Sequence, residues 1–185
     1  MFASKRLGKE LAKVSTQQTR SRSLVTILYR QELPRFVLPI AMQTHLPPGI
    51  EIVQAENFEQ WLMDIRVLDS NPLYQGQTFR LKLMFSSKYP IEPPEVVFVK
   101  ISQPTDTPRA IPIHPHIYSN GFICLDLLST AGWSPVQTVE SVCMSLQSML
   151  TANTKNERPP DDAEFVKGNK RRPRDVNFYY HDDNV

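Results

Sequence analysis

Phe58-Glu-Gln-Trp-Leu-Met-Asp-Ile-Arg-Val67 and Thr78-Phe-Arg-Leu-Lys-Leu-Met-Phe85 decide the fold. In the first stretch Trp61, Met63, Ile65 and Val67 fall on one side of an extended chain. In the second, Phe79, Leu81, Leu83 and Phe85 do the same. An apolar period of two marks a half-buried strand, because successive side chains point to opposite faces. Residues 50–53, after Leu46-Pro-Pro-Gly49, read as a shorter strand before them. Residues 95–100, with Val96, Val97, Phe98 and Val99, read as a fourth and more continuously apolar one. Asp69-Ser-Asn-Pro72 with Gly76, and Tyr89-Pro-Ile-Glu-Pro-Pro94, supply turns between them. Short connections between such strands predict an antiparallel meander with one buried face.

Helices are predicted on either side of this sheet. Ser4 to Val14 carries Leu7, Leu11 and Val14 at helical spacing, with Ser4 as the expected N-cap. Residues 138–150 place Val139, Val142, Cys143, Leu146, Met149 and Leu150 on one stripe, with Thr138 as N-cap and Glu140 in the first turn. Residues 101–132 hold no long periodic segment and are rich in Pro, His, Asn and Gly, the composition of a long ordered loop, which in a compact domain is commonly functional. The expected fold is therefore α+β: an N-terminal helix, a four-stranded antiparallel meander, a long active-site loop and an amphipathic helix.

The core domain is expected over residues 1–17 and 44–158. Residues 18–43 keep neither period and are broken by Pro34 and Pro39, so they read as an irregular insertion. Residues 159–185 are expected to be a flexible tail, with a basic run Lys170-Arg-Arg-Pro-Arg174 and an aromatic and acidic end, Phe178-Tyr-Tyr-His-Asp-Asp183.

Composition narrows the function classes. Hydrophobic residues make up 41% of the 185, which suits a globular core rather than a disordered chain. A net charge of +2 is too mild to make nucleic acid or a membrane surface the expected partner. No run of about 18 apolar residues predicts a membrane span, and the charged start (Lys5, Arg6, Lys9, Glu10) predicts no signal peptide. Cys124 and Cys143 make no disulfide framework, which points to a reducing compartment, cytoplasmic or nuclear.

Chemistry is expected in the long loop. It carries His114-Pro115-His116 and then, ten positions after His114, Cys124 in Gly121-Phe-Ile-Cys-Leu125. A cysteine with histidines upstream fits a nucleophile, while a cysteine between Ile123 and Leu125 also fits simple packing. No metal site is expected, because His114, His116 and Cys124 lack a fourth ligand at a recognisable spacing.

Four pieces then occur in order: Tyr89-Pro90-Ile-Glu-Pro93-Pro94, His114-Pro115-His116, Asn120-Gly121-Phe-Ile-Cys124-Leu125-Asp126 and Trp133-Ser134-Pro135. Together they resemble the ubiquitin-conjugating enzymes, whose pattern is Tyr-Pro-x-x-Pro-Pro, His-Pro-Asn, a Cys-Leu-Asp cysteine and Trp-Ser-Pro. The likeness covers about residues 4–16 and 46–158. It is greatest to the W-type branch, which attaches ubiquitin to protein N-terminal α-amino groups: His116 stands where most of the family has Asn, and the chain ends in an aromatic-Tyr-His-Asp-Asp run.

The resemblance implies that Cys124 accepts ubiquitin from an activating enzyme as a thioester and passes it to a protein amine. No cofactor is implied; ATP is consumed by the activating enzyme. A cysteine near its reference pKa of about 8.5 is a few per cent thiolate at neutral pH, so only modest activation is needed. His116 takes the place of the Asn that stabilises the developing oxyanion, and its ring N–H is a suitable donor. An α-amine is roughly a third deprotonated at cellular pH and a lysine about a thousandth, which favours flexible N-termini as acceptors; lysine preference remains the alternative.

His114, Pro115 and Asn120 are expected to shape the loop, and Asp126 either to orient the acceptor or to be a solvated carboxylate. Asp161 and Asp162 lie where the family often carries an acidic residue near it. Lys5, Arg6 and Lys9 are implied to face the activating enzyme, and Ile91, Ser134 and Pro135 to face a ligase, RING-type by expectation. Cys143 is expected to be structural. A non-catalytic scaffold on the same fold, and an enzyme for another ubiquitin-like modifier, are the competing readings.

Overall fold

A computed structural model of the chain describes residues 2–16, 46–55, 57–102 and 108–176. The expected insertion at 18–43 and the aromatic end at 178–183 lie outside the described residues, as does the side chain of Val14.

Among the described residues the order is α1 (Phe2–Thr16), β1 (Ile50–Gln54), β2 (Gln60–Ile65), β3 (Phe79–Met84), β4 (Glu95–Val99), α2 (Val139–Ala152) and α3 (Asp162–Gly168). The four strands form one antiparallel sheet in sequence order, as the alternation predicts. Its registers stack apolar side chains in cross-strand rows: Ile50, Ile65 and Phe79; Ile52, Met63, Leu81 and Phe98; Trp61, Leu83 and Val96. Such pairs are the unit of sheet stabilisation. This inner face meets Leu7 of α1 and the α2 stripe Val139, Val142, Cys143, Leu146 and Leu150.

α1 begins two residues earlier than the sequence suggests, so Ser4 is an exposed helical residue and not the N-cap. The cause is Ala3, which is buried one turn before Leu7 and extends the apolar stripe. α2 starts as expected. Thr138 and Ser141 form a reciprocal capping box, each side chain accepting from the other's backbone N–H. The Glu10 carboxylate accepts from Arg6 Nε at 2.8 Å, the Tyr89 hydroxyl at 2.9 Å and the Val139 N–H at 3.0 Å, tying α1 to the 86–94 loop and to the start of α2.

The sheet's other face holds a feature the strand pattern does not announce. Asp64 and Arg80 are buried there as an ion pair, and Arg109 reaches Asp64 Oδ2 at 3.0 Å. A carboxylate on the outward side of a strand reads as solvated; here two guanidinium groups cover it and satisfy its oxygens.

Residues 159–176 correct the expected flexible tail. They contain α3 and a 3₁₀ turn, Pro173–Asp175, that docks on β4 through Arg174, which pairs with Glu92 Oε2 at 3.2 Å and Glu95 Oε1 at 3.0 Å. Phe165 seats α3 against Tyr118, with ring centroids 4.0 Å apart. No residue of α3 is buried, so its order comes from partners far away in sequence.

Candidate active site

A tight hairpin builds the site. Ile117 pairs with Ile123, and Tyr118 N–H donates to the Phe122 carbonyl at 2.9 Å. Gly121 makes the turn with φ near +90°, and a Cβ there would run into the Phe98 carbonyl, so glycine is required by both conformation and space. Asn120 Oδ1 accepts the Phe122 N–H at 3.1 Å, closing the turn from its side chain. The result brings the two ends of the motif together: Cys124 N–H donates to the His116 carbonyl at 2.8 Å.

His114 lies beneath them. It is buried, and its Nδ1 accepts the His116 N–H at 2.9 Å while the ring also hydrogen-bonds the Met149 backbone. Burial, with a smaller contribution from His116, pushes the His114 pKa down to about 4, so a neutral ring fixes the His116 backbone. The adjoining 111–117 backbone is clamped as well. Arg158 donates to the carbonyls of Ile111, Pro112 and Ile117 at 2.6–3.0 Å, and the Tyr74 hydroxyl donates to Ile113 O at 2.6 Å.

Cys124 lines an open groove of about 540 Å³ shared with His116, Tyr118, Met149, Lys155 and Asp161. The Tyr118 hydroxyl donates to Asp161 Oδ1 at 3.1 Å, and Ser119 N–H donates to Asp162 Oδ1 at 2.6 Å. Burial first, then the Asp161 charge, push the Tyr118 hydroxyl above its ordinary range, so it remains a donor. The groove thus collects a thiol, an imidazole, a phenol hydroxyl and a carboxylate on one lining. Cys143 differs completely: it is fully enclosed on α2, and burial pushes its thiol up to about 12.

The structure brings Cys124, His116, Pro115 and His114 onto the lining of one groove. Asn120 stays at the hairpin tip, outside the groove lining. Asp126 is exposed in the following 3₁₀ turn, accepts from Ser129 Oγ at 3.1 Å and is not among the residues lining the groove. Lys5 and Lys9 are exposed on α1, while Arg6 is engaged with Glu10 and the Gln137 carbonyl. Ile91 is 73% exposed, and Pro135 is exposed beside half-buried Ser134. Trp133 Nε1 donates to the Pro90 carbonyl at 2.8 Å and joins the Ile91 loop to the Ser134–Pro135 loop. Sequence reasoning missed Tyr118. The available signal was its spacing two residues after His116 on one hairpin strand, which puts both side chains on the same side.

A family model described as ubiquitin-conjugating enzyme matches residues 32–179. The chain belongs to the ubiquitin-conjugating enzyme family. A Dictyostelium discoideum protein named probable ubiquitin-conjugating enzyme E2 W is 40% identical over 162 residues, covering 87% of this chain and all of that protein. Ubiquitin-conjugating enzyme E2 W of Caenorhabditis elegans is 39% identical, over 78% of this chain and 90% of its own length. The enzyme is therefore of the W type, a transferase of the ubiquitin pathway. The crystal structure of ubiquitin conjugating enzyme E2 UbcA1 from Agrocybe aegerita superposes with a TM-score of 0.70 at 34% identity, covering 93% of this chain and 98% of that one. An enzyme of this family works with ubiquitin, an activating enzyme and ligases.

Proposed function

We propose that Cys124 carries ubiquitin as a thioester and delivers it to protein N-terminal α-amino groups. The observation that carries this reading is the placement of Cys124 on the wall of an open groove with a carboxylate, Asp161, while the other cysteine is sealed in the core.

The Cys124 thiolate attacks the ubiquitin C-terminal carbonyl carbon held as a thioester on the activating enzyme. A new S–C bond forms, and the activating enzyme's thiolate leaves. In the second step an acceptor amine attacks that carbon, the Cys124 S–C bond breaks, the thiolate departs, and the amine nitrogen gives up its proton to solvent or buffer. Negative charge on the carbonyl oxygen in between is stabilised by donors on the groove wall, with the His116 ring the side chain in position to serve. Asp161 favours the approach of an ammonium group and holds it beside the thioester.

An α-amine, with its lower pKa, is already partly free base at neutral pH and needs little base catalysis, which suits a groove in which the buried His114 is neutral and internally bonded. The reading extends to a RING-type ligase engaging Ile91 with Ser134 and Pro135, to ATP consumed only in the preceding activation, and to work in the cytoplasm or nucleus.

Single-turnover discharge of the charged enzyme tests acceptor choice. A peptide with a free N-terminus and no lysine should react at least about ten-fold faster than the same peptide acetylated and carrying lysine. Equal rates would defeat α-amine specificity.

A further inference from the structure

We propose that Phe165 is a positioning residue for the discharge step, acting through Tyr118 and Asp161; this rests on the thioester reading of Cys124.

Phe165 and Asp161 sit one helical turn apart, with the Phe165 N–H bonded to the Asp161 carbonyl at 2.9 Å. Residues so spaced are neighbours on one side of the turn. Both grip Tyr118. The Phe165 ring lies over the Tyr118 ring at 4.0 Å with 32° between planes, and the Asp161 carboxylate takes the Tyr118 hydroxyl at 3.1 Å. Phe122, on the opposite strand of the same hairpin, meets Phe165 edge-on at 5.9 Å. One turn of chain therefore clamps the groove tyrosine by its face and by its hydroxyl, and the carboxylate that shares the groove with Cys124 is held wherever that clamp holds it.

The clamp depends on the ring. α3 has seven residues and buries none of them, too short to persist as a helix on its own propensity. The tie from Ser119 N–H to Asp162 and the tie from Tyr118 to Asp161 are polar contacts open to competition by water. Phe165 supplies the aromatic packing that makes them persist, since paired rings stabilise beyond simple burial. Without it, Asp161 leaves the thioester's flank while the Cys124 hairpin, built from its own backbone bonds and His114, stays formed.

The charged enzyme, prepared with activating enzyme, ATP and ubiquitin and then chased with increasing free-N-terminus peptide, tests this. Phe165→Ala should charge within two-fold of the parent and lose about five- to ten-fold in discharge at low peptide, most of it recovered at saturating peptide. Phe165→Tyr, which keeps the stacked ring, should discharge like the parent. In an Asp161→Asn background, Phe165→Ala should cost less than two-fold further, because both substitutions remove the same contribution. Discharge of Phe165→Ala at the parent rate, an undiminished extra loss in the Asp161→Asn background, or a parallel fall in charging would each overturn the proposal, the last by making Phe165 a stability residue. A parent enzyme that forms no thioester would instead sink the Cys124 reading on which it stands.

Discussion

The two cysteines are both buried by surface area, Cys124 at 7% and Cys143 at 0% exposed. They nevertheless occupy opposite environments. Cys143 is one position in the α2 stripe, surrounded by Val139, Val142, Leu146 and the inner sheet face, and burial holds its thiol as a neutral apolar group. Cys124 ends a hairpin whose other strand carries His116 and Tyr118, and space for a substrate lies in front of it. What distinguishes the two thiols is the surface each faces, not the fraction of it that is covered.

Serine substitution should split the pair most clearly. Cys143→Ser places a hydroxyl among aliphatic side chains with no partner provided, and should cost about 2 kcal/mol in urea unfolding. Cys124→Ser, at the groove wall, should change stability by less than about 0.5 kcal/mol. Equal losses would erase the distinction.

A smaller effect should appear on the groove side alone, through His114. Its folded pKa of about 4 lies below the unfolded value of about 6.5, so on acidification the unfolded chain takes up the proton first. Stability is then level above pH 7 and falls as pH drops from 6.5 toward 4. The loss by pH 5 should be of order 1 kcal/mol, discounted from the roughly 2 that the full shift gives because water reaches part of the site. Urea midpoints at pH 7.5 and 5, with the His114 ring followed by NMR, check this. A His114 ring that titrates near 6.5 in the folded protein would show that the floor of the groove is looser than described.

The same contrast explains what could be read in advance. The meander and α2 were legible because a period of two, a period of 3.6 and a Thr138 cap are local signals that tertiary structure did not override. The order of the motifs around Cys124 was legible too, but the backbone bond that joins Cys124 to His116 was not. Tyr118 and Phe165 were not, because their meaning lies in a contact between positions 47 residues apart, which no local pattern encodes. Residues 159–176 read as a flexible tail for that reason: proline, charge and a single aromatic look disordered until the hairpin they dock on is known. Asp64 is the opposite case. Its strand was assigned correctly, but burial of its charge depends on Arg80 across the sheet and on Arg109 from a distant loop.

Incubation of the enzyme with activating enzyme, ATP and ubiquitin, followed by a non-reducing gel, tests the central claim most directly. The account predicts a ubiquitin adduct that thiols remove, that Cys143→Ala still forms and that Cys124→Ala does not. An adduct that survives in Cys124→Ala, or no adduct at all with the parent enzyme, would contradict it.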